Sequence, residues 1–356
     1  MAKFYYGGQA VMEGVMMRGR TSAAVAIRKP DQSIYLYEEA LNPRLYQNRL
    51  FHLPFVRGLL LLWEMLVLGT RLMTMSANIA SGAVNPDVHP TAPASNSAQT
   101  GTNGHQPMGE APASLPADMA PPQIGGVTLV VTLLISLGFA ILIFFLAPLF
   151  IANLFPSHIG AGWLNLVIEG VVRLLLLLGY LYLIGRVPDI QRVFGYHGAE
   201  HKAINAMEQG DPLDIPHVRL SSRVHTRCGT GFLLMVMVVS IFVFAFIVTP
   251  SLPLKILSRI VLVPVVAGIS YELMRLGAAN YRFRIVKWLF APGLALQSLT
   301  TREPDDSMIE CAIASLKRVT QRDGLVVPGG AENVSNREGA LLQLTPELPP
   351  LPERLK

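Results

Sequence analysis

Four stretches of this chain, residues 127–150, 163–184, 231–248 and 256–276, are predominantly apolar. Each is near the ~20 residues that a helix needs to cross a bilayer. Pro148 and Pro264 fall inside them, which membrane helices tolerate because neighbours re-satisfy the freed backbone groups. A fifth apolar stretch, 57–75, differs in carrying Arg57, Glu64 and Arg71 at seven-residue intervals. Seven residues are nearly two helical turns, so these charges share one face, and the pattern predicts an interfacial amphipathic helix rather than a crossing one. Upstream, residues 23–27 and 33–37 predict two short strands around Lys29, Pro30 and Asp31, a β-hairpin with proline in its turn. The glycine-rich string at 7–20 predicts a tight loop entering that hairpin; the alternative is a functional segment with Glu13, Arg18 and Arg20 facing a site or lipid phosphates.

Two polar regions frame the rest. Residues 82–124 consist largely of Ala, Pro, Ser, Thr, Asn and Gly without Lys or Arg, too little apolar surface to offset chain entropy, and predict a disordered linker that leaves His89 and His105 outside the chemistry. Residues 301–320 predict an amphipathic helix opened by Asp305, Asp306 and Ser307, with Met308, Ile309, Ala312, Ile313 and Leu316 on one stripe and Cys311 as a packing residue. The expected fold is an α-helical integral membrane protein of about four transmembrane helices plus an interfacial helix, with a small N-terminal β-hairpin region. Its expected divisions are 1–81, the linker 82–124, a four-span membrane domain 125–300 with a His/Cys loop at 186–228, the helix 301–320 and a flexible tail 321–356.

Composition agrees. Of the 356 residues 51% are hydrophobic and only 15% charged, with a mean hydropathy of +0.42, whereas a soluble domain is about a quarter charged. The net charge of +5 does not predict a nucleic-acid partner, because the basic residues flank the apolar segments instead of forming one tract. Arg186, Arg192, Lys202, Arg219, Arg223 and Arg227 lie in the long central loop, and Arg275, Arg282, Arg284 and Lys287 follow the last apolar segment. The positive-inside rule then places that loop and both termini in the cytoplasm, with the chain in the inner membrane and the lipid bilayer as its first partner. The first residues lack the uninterrupted apolar core of a signal peptide.

The central loop concentrates the chemistry. Among only eight histidines and two cysteines, it holds His197, His201, His225 and Cys228, together with Glu200. A helix over 197–207, closed by Gly210, puts His197, Glu200 and His201 on one face, in the order of the H-x-x-E-H motif whose glutamate serves as general base. His225 and Cys228 follow, with Gly229 and Gly231 allowing a tight turn. Imidazoles plus a thiolate suit zinc. The alternatives are a merely hydrogen-bonded polar loop, a closed structural zinc with four protein ligands, or an open one with Glu200 as base. Within the apolar segments, Glu169 stands four residues before Arg173, the spacing of an ion pair. Glu272 either orients a ligand histidine or pairs with Arg275.

The strings GGQAVMEGVMMRG, RGLLLLWEMLVLGTRLM, YHGAEHKAINAME, HTRCGTGFLL and PGLALQSLTTREPDDSMIE, in this order, resemble the YqhQ-like family of bacterial membrane proteins, a domain of unknown function regarded as predicted metal-dependent enzymes. The resemblance runs from Phe4 to about Leu316, outside the linker and tail. It implies a multipass inner-membrane protein with a metal site at His197, Glu200, His201, His225 and Cys228, and brings no substrate. Two functions stay open: a metal-dependent hydrolase acting on a peptide or lipid-linked group at the membrane surface, and a non-enzymatic scaffold or assembly factor with structural zinc.

Overall fold

Alternate residues of the segment 22–28 face two different cores, and this accounts for the N-terminal architecture. The computed structural model describes residues 6–41, 53–83, 126–154, 163–246 and 251–325. In it β1 (Gly7–Val11), β2 (Gly14–Arg18), β3 (Ser22–Arg28) and β4 (Ile34–Ala40) form an antiparallel sheet in the order β1-β2-β3-β4. Val11, Met16, Ala23, Val25 and Ile27 pack on Leu68, Leu72 and Ile79 of α1 (Val56–Ala80). Ala10, Val15, Met17, Ala24 and Ala26 face α4 (Pro188–Gln209) and α10 (Asp306–Arg322). Small residues on this second face let the two helices approach the sheet closely.

The expected hairpin is therefore β3–β4 of a larger sheet, and the string expected as a loop supplies β1 and β2. Val11 pairs with Gly14 across a two-residue turn at Met12 and Glu13. A Cβ on Gly14 would stand 2.3 Å from the carbonyl oxygen of Ala26, so only glycine fits there. Glu13 takes a φ of 51°, a region unfavourable for a residue with a Cβ. Its carboxylate is held by the Arg192 guanidinium (2.5 Å) and the Tyr196 hydroxyl (3.2 Å), so it serves structure, one helical position from His197.

A helical bundle forms the other part. It comprises α2, running through Gly126–Ile141, a π-helical turn Leu142–Leu146 and Ala147–Asn153; α3 (Trp163–Ile184); α6 (Gly229–Ala245); α7 (Leu252–Val261); α8 (Val263–Ala279); and α9 (Arg284–Thr300). Among the described residues three helices are long and apolar enough to cross a membrane, Val56–Ala80, Val130–Ala152 and Asn165–Ile184. The stretch expected as one span at 256–276 is two helices bent by 44°, with Pro264 in the first turn of the second, and counts as a fourth if the pair is one span. α6 is apolar but shorter.

α1, expected as an interfacial helix, is by length and composition also one of those that could cross. Its charges are spent on protein partners: Arg57 on Glu272, Glu64 on Arg18, and Arg71 on Glu39. Glu272 thus holds Arg57 and the Phe55 N–H, with Arg275 at 3.9 Å, and does not reach a histidine. α9 was not foreseen at all. The central region expected as a loop is mostly helix, α4 followed by the short α5 (Ile215–Leu220). The predicted C-terminal helix is α10, capped by Asp305, whose side chain accepts the Met308 N–H, and Cys311 is buried in its packed face. Burial pushes that thiol up to about 12. Almost all of the expected linker and most of the expected tail lie outside the described residues.

Candidate metal centre

α4 begins at Pro188, where the missing N–H costs nothing, and stops at Gly210, whose φ of 83° allows its N–H to reach the Ala206 and Met207 carbonyls. Between these ends Ala199, Ala203 and Ala206 face the sheet and α10, which fixes the helix's rotation. The other side then presents His197, Glu200 and His201 together. The approach is close: a Cβ on Gly198 would lie 2.1 Å from the Arg302 carbonyl oxygen, so the 301–304 segment lies directly on the helix.

His197 and His201 bring their rings to a centroid distance of 4.4 Å. Each is oriented by a backbone carbonyl, His197 Nδ1 by Thr300 O at 2.8 Å and His201 Nδ1 by Arg223 O at 2.7 Å. A carbonyl can only accept, so both Nδ1 atoms donate, and in the neutral ring this leaves Nε2 as the nitrogen with the free lone pair. This is the arrangement that metal-bound imidazoles require of their other nitrogen.

Cys228 completes the group. It caps the N-terminus of α6, where its Sγ accepts the Thr230 N–H. The sulfur is 3.3 Å from His197 Nε2. One ligand atom each from His197, His201 and Cys228 all lie within 4.8 Å of one another. Two imidazole nitrogens and a thiolate fit zinc's preference for N and S ligands.

Glu200 lies beside this triad, its Oε2 3.9 Å from His197 Nε2. Its carboxyl is buried, and desolvation pushes it above the usual carboxylate range, against the opposing pull of His197 and of the Gly8 backbone N–H of β1. A side chain on Gly8 would collide with Glu200 Cγ at 2.9 Å, so the glycine-rich first strand is part of the site's wall.

His225 is not brought into the triad. Its ring is 5.7 Å from that of His201, and its Nε2 accepts from Arg227 at 3.1 Å, with Glu208 at 3.7 Å. Desolvation holds its pKa below the ordinary value, and Glu208 opposes this. The backbone of His225 is clamped by the buried Gln297, which accepts its N–H at 2.9 Å and donates to its carbonyl at 2.8 Å. Gln297, Thr300, Gly8 and Glu208 were not foreseen. A lone glutamine among apolar residues of α9 was the only signal for the first, and the others act through backbone groups or at long range.

The family described as a protein of unknown function, DUF1385, matches residues 53–322, most of the chain and all of the triad. The chain belongs to that family. It is also 34% identical over 322 residues to the "Uncharacterized protein YqhQ" of Bacillus subtilis (strain 168), covering 90% of this chain and 93% of that protein. No solved structure matches.

Proposed function

We propose that this chain is a multipass inner-membrane protein with a zinc-dependent hydrolytic centre at the cytoplasmic membrane surface. The observation that carries the reading is the triad itself: three convergent ligand atoms, imidazoles already in the metal-binding tautomer, and a buried carboxylate at their side. A closed structural site takes four protein ligands, whereas catalytic zinc takes three and keeps one position open. His225, turned to Arg227, favours the second pattern over the scaffold. Zinc held there by His197, His201 and Cys228 would supply Lewis acidity and activate a water near neutral pH. Glu200 Oε2 would take the proton from the attacking water and return it to the leaving group. The Gly8 N–H holds that carboxylate in place, while the Thr300 and Arg223 carbonyls keep both Nε2 atoms aimed. A peptide or lipid-linked group is the substrate class this reading carries.

The test is Glu200→Gln, which keeps shape and most hydrogen bonding but cannot act as base. It is expected to retain zinc and to lose rescue of a strain deleted for the gene, with activity down by about 10²–10⁴-fold. Full rescue by a metal-loaded Glu200→Gln protein would move the reading to the scaffold.

For topology, α2, α3, α6 and the α7–α8 pair cross the bilayer in this proposal, and α1 lies along its surface. Support for the last point comes from an exposed apolar stripe of Trp63, Leu66 and Val67 opposite the face packed on the sheet. Leu220 is 86% exposed in the segment assigned to the cytoplasm, and both native cysteines are buried. Leu220→Cys should resist a membrane-impermeant thiol reagent in intact cells and react after permeabilisation. Labelling in intact cells would reverse the orientation.

A further inference from the structure

A cleft of about 700 Å³ is lined by Arg223 and by Thr301, the neighbour of Thr300, and nothing in the proposed chemistry uses it. Its walls come from the end of α3, Gln191 of α4, Arg223 and the end of α9 with the segment after it. Three guanidinium groups line it, Arg186, Arg223 and Arg302. The one carboxylate on its wall, Glu303, is engaged by Lys202 at 2.7 Å. Arg186 lies over the Tyr182 ring at 4.4 Å, and Arg302 donates to the Gly185 carbonyl at 3.1 Å. The half-buried Arg223 side chain has neither an ion pair nor a hydrogen bond among the described residues. A space this size with three cations and one already neutralised anion suits a phosphate group, whose oxygens guanidinium binds in bidentate fashion.

The cleft's apolar side identifies the source of that anion. Leu175, Leu178 and Tyr182 follow one another at helical spacing along α3 and are all exposed, so an apolar stripe runs along the helix and ends at the cleft. A free phosphate has no use for such a stripe, whereas an acyl chain does. We propose that the cleft seats the phosphate headgroup of an anionic phospholipid, with its chains along α3. The bound headgroup then rests against the same two backbone segments, at Arg223 and at Thr301, that aim His201 and His197. This inference rests on the membrane placement proposed above but not on the metal.

The experiment is native mass spectrometry of the detergent-purified full chain titrated with phosphatidylglycerol or phosphatidylcholine. The wild type should hold one phosphatidylglycerol and discriminate against phosphatidylcholine. Arg223→Gln should weaken that binding by roughly tenfold, the scale of one charge-assisted hydrogen-bonded contact. Arg223→Lys should recover part of it. Arg302→Gln should weaken it as well, with elution volume and melting temperature reporting integrity in each case. Equal binding of the two lipids, or unchanged binding in a folded Arg223→Gln protein, overturns the proposal. Displacement of the lipid by inorganic phosphate at comparable concentration overturns the lipid source and assigns a free phosphate. Failure of the membrane placement would show separately, as a chain that stays soluble and monodisperse without detergent.

Discussion

Protein carrying His201→Ala is expected to purify essentially free of zinc. Loss of an outer hydrogen-bond partner of a ligand already costs about 10–100-fold in metal affinity, and loss of the ligand itself should exceed that range. His201 is 1% exposed, so the change also leaves the Arg223 carbonyl without its donor, at about 1–3 kcal/mol, and loosens the strap to Cys228. Cys228→Ser separates these effects. It removes the thiolate but leaves both imidazole–carbonyl bonds, so zinc should be lost with little change in the melting of the metal-free protein. His225→Ala makes the opposite case: its Nε2 is turned to Arg227 and Glu208, and the variant should keep its zinc. Metal analysis of the three purified variants beside wild type, with thermal melting of the metal-free proteins, reads all of this. Zinc retained by His201→Ala, or lost from a folded His225→Ala, would redraw the ligand set.

Glu169→Leu is expected to cause the largest loss of stability in the bundle, about 3–5 kcal/mol. One carboxylate there serves two buried guanidinium groups. Glu169 accepts from Arg173 at 2.6 Å and from Arg259 at 3.0 and 3.2 Å. Arg173 further donates to the Phe144 carbonyl in the π-helical turn and to Ser240, so the cluster joins α2, α3, α6 and α7. Both arginines also lie against the Phe244 ring. Removing the carboxylate leaves two positive charges close together with no anion between them. Replacing all three residues by leucine should recover much of the loss, because apolar groups need no partner. Thermal unfolding in detergent and accumulation in the membrane fraction both report it. A Glu169→Leu protein that melts with wild type would show the cluster to be unimportant for stability.

The sequence carried the helix of the triad because its signals are local. The spacing of His197, Glu200 and His201 is helical, and Gly210 marks the end. Likewise Glu169 and Arg173 are four apart, but Arg259, 90 residues from Glu169, could not be assigned to them by pattern. β1 and β2 escaped notice because Val15, Met16 and Met17 are all buried. A sheet covered on both faces shows no polar alternation, and the glycines that imitate a loop are there for close approach. α9 was hidden by its basic start and by Pro292 in its interior. The parts of the site that decide its chemistry are mostly backbone groups: the Thr300 and Arg223 carbonyls and the Gly8 N–H. Such partners leave no mark on side-chain identity, which is why the sequence pointed to four ligands and the geometry gathers three.

X-ray absorption at the zinc edge of purified wild-type protein tests the central claim most directly. The account predicts one bound zinc with a single sulfur at about 2.3 Å, two imidazole nitrogens at about 2.0–2.1 Å and one further light atom that is not a third imidazole. Protein expressed with zinc available that carries no metal, or zinc without a sulfur neighbour, would contradict it.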